Sequence, residues 1–429
     1  MYLLNQSPAL LTDLYELTMA QVYWQKDFND HACFEVFIRK LPDDWGFFVM
    51  SGLAELKSYL QNVRFTEDDI HYLRTLDMFD PAFLDYLQNI DFESVEIRAL
   101  PEGTPFFPNE PILEVKGPIL TAQLLETYIL NILGFSIIQA TAASRLQIAA
   151  QGRAVVDFGM RRAQGPVSSI RAARGAVTAG MPATSNVLAA KLLNAKPSGT
   201  MAHSFIQAYT KEEDAFESFA RTYKSKAVLL VDTYDTVNGI KLAAKVARKL
   251  DTEDNIQIRG IRIDSGDLVK MSNFARRHFD ENNVEWIKIF VSGNLDEYKI
   301  DDIVQQRGQV DGFGVGTSLA VSRYAPSVDI AYKLVRYGDR DVYKKSENKA
   351  THPGRKTLHR TFRDNRYEHD DVIKYQPSSD DLLRPFSEPE PLHKIAERLN
   401  TMLYHLAPAY KKIRNPETFP VNFHIKLPE

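Results

Sequence analysis

Cysteine is nearly absent from this sequence, and neither positive nor negative charge is in large excess. Cys33 stands alone among 429 residues, so one chain cannot close a disulfide, as is typical of a reducing compartment. A formal net charge of −4 provides no basic field for nucleic acid or an anionic membrane. The start of the chain has no basic cluster and soon reaches Asp13 and Glu16, unlike a signal peptide. We therefore expect a cytoplasmic protein with neither a nucleic-acid nor a membrane partner.

Three catalytic signatures are also missing. There is no H-E-x-x-H, no G-x-x-x-x-G-K-[ST] and no G-x-G-x-x-G opening a first helix. These absences argue against a zinc protease, a P-loop enzyme and a Rossmann enzyme. The most apolar stretch, "GPILTAQLLETYILNILGFSIIQAT", contains Gln123, Glu126 and Asn131, which predicts a buried helix and not a membrane span.

A regular alternation occupies the middle of the chain, from about residue 150 to 320. Short apolar runs such as "KAVLLVD" and "WIKIFVS" alternate with longer amphipathic ones such as "TVNGIKLAAKVARKL". That pattern predicts parallel βα units. Because the unit recurs about six times, we expect an irregular α/β barrel, with an open doubly wound sheet as the alternative. "SGTMAHS" is predicted to end one of the strands.

The two ends of the chain have a different pattern. Residues 1–137 mix helices with strands such as "HACFEVFIRK" and predict an α+β domain. Residues 138–345 would form the barrel that carries the active site. Residues 346–429 would pack on the N-terminal domain, so that both ends flank the barrel.

Polar residues, together with one aromatic residue and glycine turns, follow successive predicted strands, at the edge where α/β barrels carry their active sites. They are Asp157, Phe158, Arg161, Thr200, His203, Asp232, Asp235, Arg262, Asp264, Asp267, Ser292, Gly293, Gly316 and Thr317. Each residue has an ordinary interpretation: the acids could cap helices, and His203 could be a packed imidazole. As a set, acids, arginines, glycine turns and one histidine favour a phosphorylated sugar bound with a metal.

These motifs, in this order, resemble the nicotinate phosphoribosyltransferase family nearly end to end. The resemblance rests on "LLTDLYELTMAQVYW", "DFGMRRAQGP", "GTMAHSF", "VDTYDT", "IRIDSGDL", "VSGNLDEY" and "GFGVGTS". It implies an irregular α/β barrel with an α+β domain. It also implies transfer of phosphoribosyl from phosphoribosyl pyrophosphate to nicotinate, the first step of NAD salvage from nicotinate, coupled to ATP hydrolysis.

The resemblance also assigns roles to residues. His203 would be phosphorylated by ATP, and Asp232 or Asp264 would orient its ring and assist catalysis. Nicotinate would contact Tyr15 of a second subunit, Phe158, Thr200 and Arg262. Phosphoribosyl pyrophosphate would contact Arg161, Ser292, Gly293, Gly316 and Thr317. Mg²⁺ would arrive with the pyrophosphate, with Asp235 or Asp264 as candidate ligands, and the shared site implies a homodimer.

Other functions stay open at this point. Nicotinamide is the alternative base, although the absence of an acid from "GMPATSNV" favours the anionic acid. A non-catalytic nucleotide-binding homologue would have lost several strand-end groups, yet His203, Arg262, Asp264 and Thr317 are present. An aldolase on the same barrel would need a strand-end lysine, and none occurs.

Overall fold

The computed structural model describes residues 8–345 and 351–426 of the chain. The predicted C-terminal segment, 346–429, begins and ends outside these ranges. The described residues form two compact units, one within Met1–Ile138 and Ser327–Glu429 and the other Gln139–Pro326.

The helices of the described residues are α1 (Leu14–Gln25), α2 (Leu53–Asn62), α3 (Glu67–Thr75), α4 (Pro81–Gln88), α5 (Ile119–Gln123), α6 (Glu126–Ala150), α7 (Pro166–Thr178), α8 (Val187–Leu192), α9 (His203–Gln207), α10 (Glu212–Tyr223), α11 (Thr236–Asp254), α12 (Leu268–Glu281), α13 (Glu297–Gln305), α14 (Thr317–Ala320) and α15 (Leu392–His405). The strands are β1 (His31–Ile38), β2 (Phe48–Val49), β3 (Glu96–Ala99), β4 (Pro105–Phe106), β5 (Leu113–Pro118), β6 (Ala154–Asp157), β7 (Ala183–Thr184), β8 (Lys196–Pro197), β9 (Val228–Leu230), β10 (Gly260–Ile263), β11 (Lys288–Val291), β12 (Gly312–Val315), β13 (Ile330–Tyr337), β14 (Arg340–Asp341), β15 (Lys356–Arg363), β16 (Arg366–Lys374), β17 (Arg384–Pro385) and β18 (Val421–Phe423).

A seven-stranded sheet forms the core of the second unit. Its order is β8-β7-β6-β12-β11-β10-β9, and every neighbouring pair is parallel. Strands such as β9 and β12 are buried throughout, as expected for parallel strands covered on both faces. The predicted α/β class of parallel βα units is confirmed. The barrel is incomplete, because β8 and β9 are the edges of the ladder.

The segment around His203 differs from its predicted structure. β8 ends at Pro197, whose missing N–H is tolerated at the sheet edge, and no strand follows before His203. His203 is instead the first residue of α9, after an extended Ala202. The expectation that "SGTMAHS" ends a strand is therefore wrong.

A six-stranded sheet, ordered β14-β13-β1-β5-β3-β17, dominates the first unit. β1 lies inside it and pairs antiparallel with both β5 and β13. Residues 327–345, which the sequence analysis assigns to the barrel, belong to this unit because β13 pairs with β1. The C-terminal segment contributes β17 to the six-stranded sheet and forms a separate three-stranded sheet of β15, β16 and β18.

The apolar stretch predicted to be a buried helix forms α5 and α6. Among the described residues, Ile119–Ala150 is long and apolar enough to cross a membrane by length and composition. Two-thirds of its most apolar window is buried inside the protein, however, and core helices of soluble proteins meet the same test.

Buried ion pairs hold the C-terminal segment within the first unit. Lys356 Nζ lies 2.6 Å from Glu35 on β1, and Arg98 on β3 lies 2.6 Å from Asp381. Arg360 contacts both oxygens of Asp370, and both side chains are almost fully buried. Breaking such a pair is costly, because the remaining charge stays buried and uncompensated.

We expect Asp370→Asn to lower the free energy of unfolding by about 3–5 kcal/mol, since Arg360 would lose its carboxylate. Urea denaturation measures the change. The control is Asp339→Asn, which removes a fully exposed partner 3.7 Å from Arg336 and should change stability by less than about 1 kcal/mol. Equal effects from both variants would contradict the importance of burial.

Candidate active site

A chain of hydrogen bonds joins the ends of three neighbouring strands. After β9, Asp232 Oδ2 accepts the backbone N–H of Asp264 at 3.0 Å and the hydroxyl of Ser265 at 2.6 Å. After β10, Asp264 Oδ1 accepts a short hydrogen bond from the hydroxyl of Ser292, which follows β11. Asp232, Asp264 and Ser292 are therefore brought together at one edge of the sheet, as predicted.

Gly293 is required where β11 ends. Its φ of +93° is a conformation that side-chain-bearing residues rarely adopt, and a Cβ there would lie 1.7 Å from the carbonyl oxygen of Asp264. The backbone after β11 therefore packs directly on the backbone after β10. This close approach keeps the Asp264 and Ser292 side chains in register.

Two acids of the candidate set, Asp235 in "VDTYD" and Asp267 in "IDSGD", have the ordinary role of capping helices. Asp235 accepts the N–H of Asn238 and caps α11, and Asp267 accepts the N–H of Lys270 and caps α12. Only the first acids, Asp232 and Asp264, join the hydrogen-bond chain between strands. Asp235 remains exposed at its helix end.

His203 lies beside the loop that follows β9. Its Nδ1 is 3.0 Å from Oγ1 of Thr233, while Asp232 is engaged by Asp264 and Ser265. Thr233, which the sequence analysis did not single out, is thus the ring's hydrogen-bond partner. Neither Asp232 nor Asp264 accepts a hydrogen bond from a ring N–H of His203. In the sequence, only the position of Thr233 beside Asp232 in "VDTYD" indicated that Thr233 lies near the site.

Arg262 projects from β10 and is largely buried. One Nη donates to the carbonyl oxygen of Met201 at 3.1 Å, and the buried Nε finds no acceptor among the described residues. Burial lowers the pKa of Arg262, whereas the nearby Asp264 and Asp232 act to raise it, and Arg161 acts to lower it. A charged donor group is thus left with unused hydrogen-bonding capacity in the site.

Phe158 is held between two glycine-containing segments. Its N–H donates to Val315 on β12, and a Cβ at Gly314 would lie 2.5 Å from its ring. The preceding Asp157 is buried and accepts hydrogen bonds from Thr184 at 2.6 Å and from the N–H of Gly159 at 2.7 Å. Burial raises the pKa of Asp157.

The other predicted residues occupy the same unit, with one exception. Thr200 lies in the segment before α9, Arg161 is exposed on a 3₁₀ turn after β6, and Gly316 and Thr317 follow β12 at the start of α14. Tyr15 lies on α1 in the first unit, with its side chain about half exposed. The sheet edge therefore gathers every predicted site residue except Tyr15.

Glu212 joins the site without having been predicted. Burial raises the pKa of its carboxyl group, and the nearby Asp232 and Asp235 raise it further. Its Oε1 is buried and has no donor among the described residues, and the same holds for Oδ1 of Asp232. In the sequence, "KEED" is typical of a solvated helix start, so no signal marked this residue.

Comparison with known proteins gives matches over most of the chain. Residues 10–134 match the nicotinate phosphoribosyltransferase (NAPRTase) N-terminal domain, and residues 153–370 match the nicotinate phosphoribosyltransferase (NAPRTase) family. A nicotinate phosphoribosyltransferase of Mycobacterium tuberculosis is 44% identical over 352 residues, which cover 82% of this chain and 75% of the relative. One from Bacillus subtilis is 37% identical over 412 residues, which cover 93% of this chain and 83% of the relative.

Solved structures are similar as well. The crystal structure of human nicotinic acid phosphoribosyltransferase superposes with a TM-score of 0.83 at 25% identity, covering 96% of this chain and 97% of that one. The crystal structure of nicotinate-nucleotide pyrophosphorylase from Pyrococcus furiosus superposes with a TM-score of 0.74 at 25% identity, covering 94% of this chain and 98% of that one.

We expect Gly293→Ala to destabilise the protein more than Gly266→Ala does. Both glycines have positive φ, but nothing lies within 4 Å of a Cβ at Gly266. The additional clash with Asp264 should cost about 1–3 kcal/mol beyond the shared backbone strain. Thermal unfolding of the two variants measures the difference. Equal melting temperatures would show that the Asp264 backbone yields without cost.

Proposed function

The chain belongs to the nicotinate phosphoribosyltransferase family, and on that premise we propose a specific reaction. Nicotinate and phosphoribosyl pyrophosphate give nicotinate mononucleotide and pyrophosphate, coupled to hydrolysis of ATP to ADP and phosphate. The ring nitrogen of nicotinate bonds to C1 of the ribose as the bond from C1 to the pyrophosphate oxygen breaks. The product is a pyridine nucleotide, which places the reaction in NAD biosynthesis.

The single observation that carries this proposal is the unused donor capacity of Arg262. Its buried Nε has no acceptor among the described residues, and Nη2 is bound only to the Met201 carbonyl. A planar carboxylate accepts two parallel hydrogen bonds from a guanidinium group, and burial strengthens them. An anionic nicotinate fits this need better than the neutral amide of nicotinamide does.

Aromatic and hydroxyl groups would complete the base site. The backbone N–H of Phe158 donates to the carbonyl oxygen of Val315, and its ring packs against Gly314, where there is no Cβ. The ring therefore offers a defined surface for a flat pyridine. Thr200 lies in the segment next to Met201, whose carbonyl binds Arg262. Tyr15 of a second subunit would stack on the opposite face, which requires a homodimer.

The phosphate groups would lie along the strand ends that carry little side chain. The backbone N–H groups of Gly293 and Gly316 and the hydroxyl of Thr317 would donate to the phosphate oxygens, whereas the Ser292 hydroxyl, at the same edge, already donates to Asp264. Arg161 is exposed on its 3₁₀ turn and is close enough to influence Arg262, so it would supply a positive charge for the same ligand.

Charge at the reacting centre would be balanced by the acids. As pyrophosphate leaves, positive charge develops at C1 of the ribose, and the carboxylate of Asp264 would stabilise it. The oxygen ligands suit Mg²⁺, since Oδ1 of Asp232 is buried without a donor, with Asp264 and Asp235 nearby. Mg²⁺ would supply charge neutralisation of the leaving group.

His203 would couple the reaction to ATP. A neutral imidazole nitrogen attacks the γ-phosphorus, the bond to the β-phosphate oxygen breaks, and ADP leaves. Water later cleaves the N–P bond to release phosphate. The hydrogen bond with Thr233 would hold the ring for both steps.

The experiment that tests this function is formation of nicotinate mononucleotide from nicotinate, phosphoribosyl pyrophosphate and Mg²⁺, with and without ATP. Nicotinamide replaces nicotinate in a parallel reaction. We expect product from nicotinate, increased by ATP, and little from the amide. Product from nicotinamide alone would overturn the assignment of the base, and no product from either would favour a non-catalytic homologue.

Arg262→Lys should raise the KM for nicotinate about 10- to 100-fold, because a lysine cannot form the paired hydrogen bonds. The KM for phosphoribosyl pyrophosphate should change much less. Steady-state kinetics measure both constants, with Arg276→Lys, whose arginine pairs with Asp311, as the control. An unchanged KM for nicotinate in Arg262→Lys would contradict the proposed carboxylate contact.

His203→Ala should abolish stimulation by ATP while slow transfer without ATP continues. The reason is that only the phosphorylated nitrogen is lost, and the base and phosphate groups stay in place. Incorporation of labelled phosphate from ATP into the protein measures the step directly. His278→Ala, on α12, is the control, and labelled phosphate in His203→Ala would place the modification elsewhere.

A further inference from the structure

A cavity of about 300 Å³ opens on the six-stranded sheet of the first unit. Four cationic side chains line it, and they are Lys116, Arg336, Arg355 and Lys374. His31 also lines the cavity, and none of the described lining residues is acidic. The volume lies at the lower end of the range for small-molecule sites, and the lining favours an anion.

The register of the sheet explains why cations surround a depression. Cys33 on β1 lies opposite Lys116 on β5 and opposite Arg336 on β13, so the three residues form one row across adjacent strands. Neighbouring strands lie about 4.8 Å apart, which separates the backbones of the two cations by about 10 Å. Because the thiol of Cys33 is small and the side chains on either side of it are long, the row has a low centre with a cation at each end.

The C-terminal segment supplies a third cation that is held in place. The backbone N–H of Tyr375 donates to the carbonyl oxygen of Arg355 at 2.9 Å, and the Arg355 guanidinium lies 4.2 Å from the centroid of the Tyr375 ring. Nε and Nη2 of Arg355 donate to Glu114 at 3.1 and 2.6 Å, while Nη1 has no acceptor among the described residues. A guanidinium group that is fixed and still has a donor to offer can bind an oxyanion at a low entropic cost.

The acids that pair with these cations do not line the cavity. Asp341 is 3.1 Å from Arg336 and 3.7 Å from Lys374, so one carboxylate serves two cations. The other acid near Arg336 is Asp339, which is fully exposed, and the partner of the cation on β5 is Glu96, which is mostly exposed. Exposed ion pairs are weak because water screens them. The lining cations therefore keep attraction for an anion in the cavity.

We propose that this cavity binds a phosphate group, either as the free ion or as the monoester end of a small phosphorylated molecule. The proposal goes beyond the proposed function and does not depend on it. A phosphate dianion carries two charges and several acceptor oxygens. It can therefore accept hydrogen bonds from Lys116 and Arg336 at the two ends of the row and from Nη1 of Arg355 at the same time.

Isothermal titration calorimetry of the full-length protein, at constant ionic strength, tests the proposal with two probes, inorganic phosphate and adenosine monophosphate. Lys116→Gln and Arg336→Gln should each weaken binding in the cavity about tenfold, because each loses a hydrogen bond from a charged donor. Lys245→Gln is the matched control. It removes an exposed lysine that pairs with Glu213 in the second unit, and it should bind both probes as the wild type does.

The two probes distinguish the two sources of the phosphate group. Higher affinity for adenosine monophosphate would identify a phosphorylated molecule, and higher affinity for inorganic phosphate would identify the free ion. Phosphate that binds in the candidate active site is common to all variants, so only the binding lost in Lys116→Gln and Arg336→Gln reports on the cavity. Unchanged binding of both probes in these two variants would overturn the proposal.

A second measurement covers a variant that folds poorly. Phosphate should raise the melting temperature of the wild type more than that of Lys116→Gln or Arg336→Gln, and thermal unfolding without phosphate shows whether each variant is folded. Arg336→Lys, which keeps the charge, should recover part of the lost increase, and an increase equal in all variants would contradict the site. Neither measurement needs turnover. Failure to form nicotinate mononucleotide would therefore reject the proposed function and leave this test valid.

Discussion

The hydrogen bonds that run from Asp232 through Asp264 to Ser292 are the constraint on which the candidate site depends. They connect the ends of three parallel strands, so that loops from distant parts of the sequence share one geometry. Steric contact also constrains this arrangement, because the backbone at Gly293 lies too close to the Asp264 carbonyl for a side chain to fit there. Because each acid receives donors from the next strand, the carboxylates are both positioned and stabilised in a partly buried place.

The same network leaves selected groups unsatisfied. Nε of Arg262, Oδ1 of Asp232 and Oε1 of Glu212 are buried without partners among the described residues. Buried polar atoms are nearly always paired in folded proteins, so each of these three exceptions calls for an explanation, and a bound ligand would supply the missing partners. A carboxylate for the arginine and a cation for the acids would satisfy this set.

Much of the architecture was predictable from local patterns. Buried β-branched runs alternating with amphipathic helices predicted the βα units, and the polar residues after each strand predicted which side chains meet at one edge of the sheet. The prediction was wrong at "SGTMAHS", because a short edge strand ending in a proline has no pattern that separates it from a loop. Residues 327–345 were assigned to the barrel because an antiparallel partner as distant in sequence as β1 leaves no local signature.

By itself, the sequence determined the element types, the family and the residues that are candidates for the chemistry, because these depend on local periodicity and on ordered motifs. Only the tertiary structure decided the partners. It assigned the imidazole of His203 to Thr233, made Asp235 a helix cap while Asp232 bridges strands, and brought Glu212 to the site. Hydrogen bonds and electrostatic interactions act over a few ångströms in space. The folded arrangement of the strands brings those groups within that range, whatever their separation along the chain.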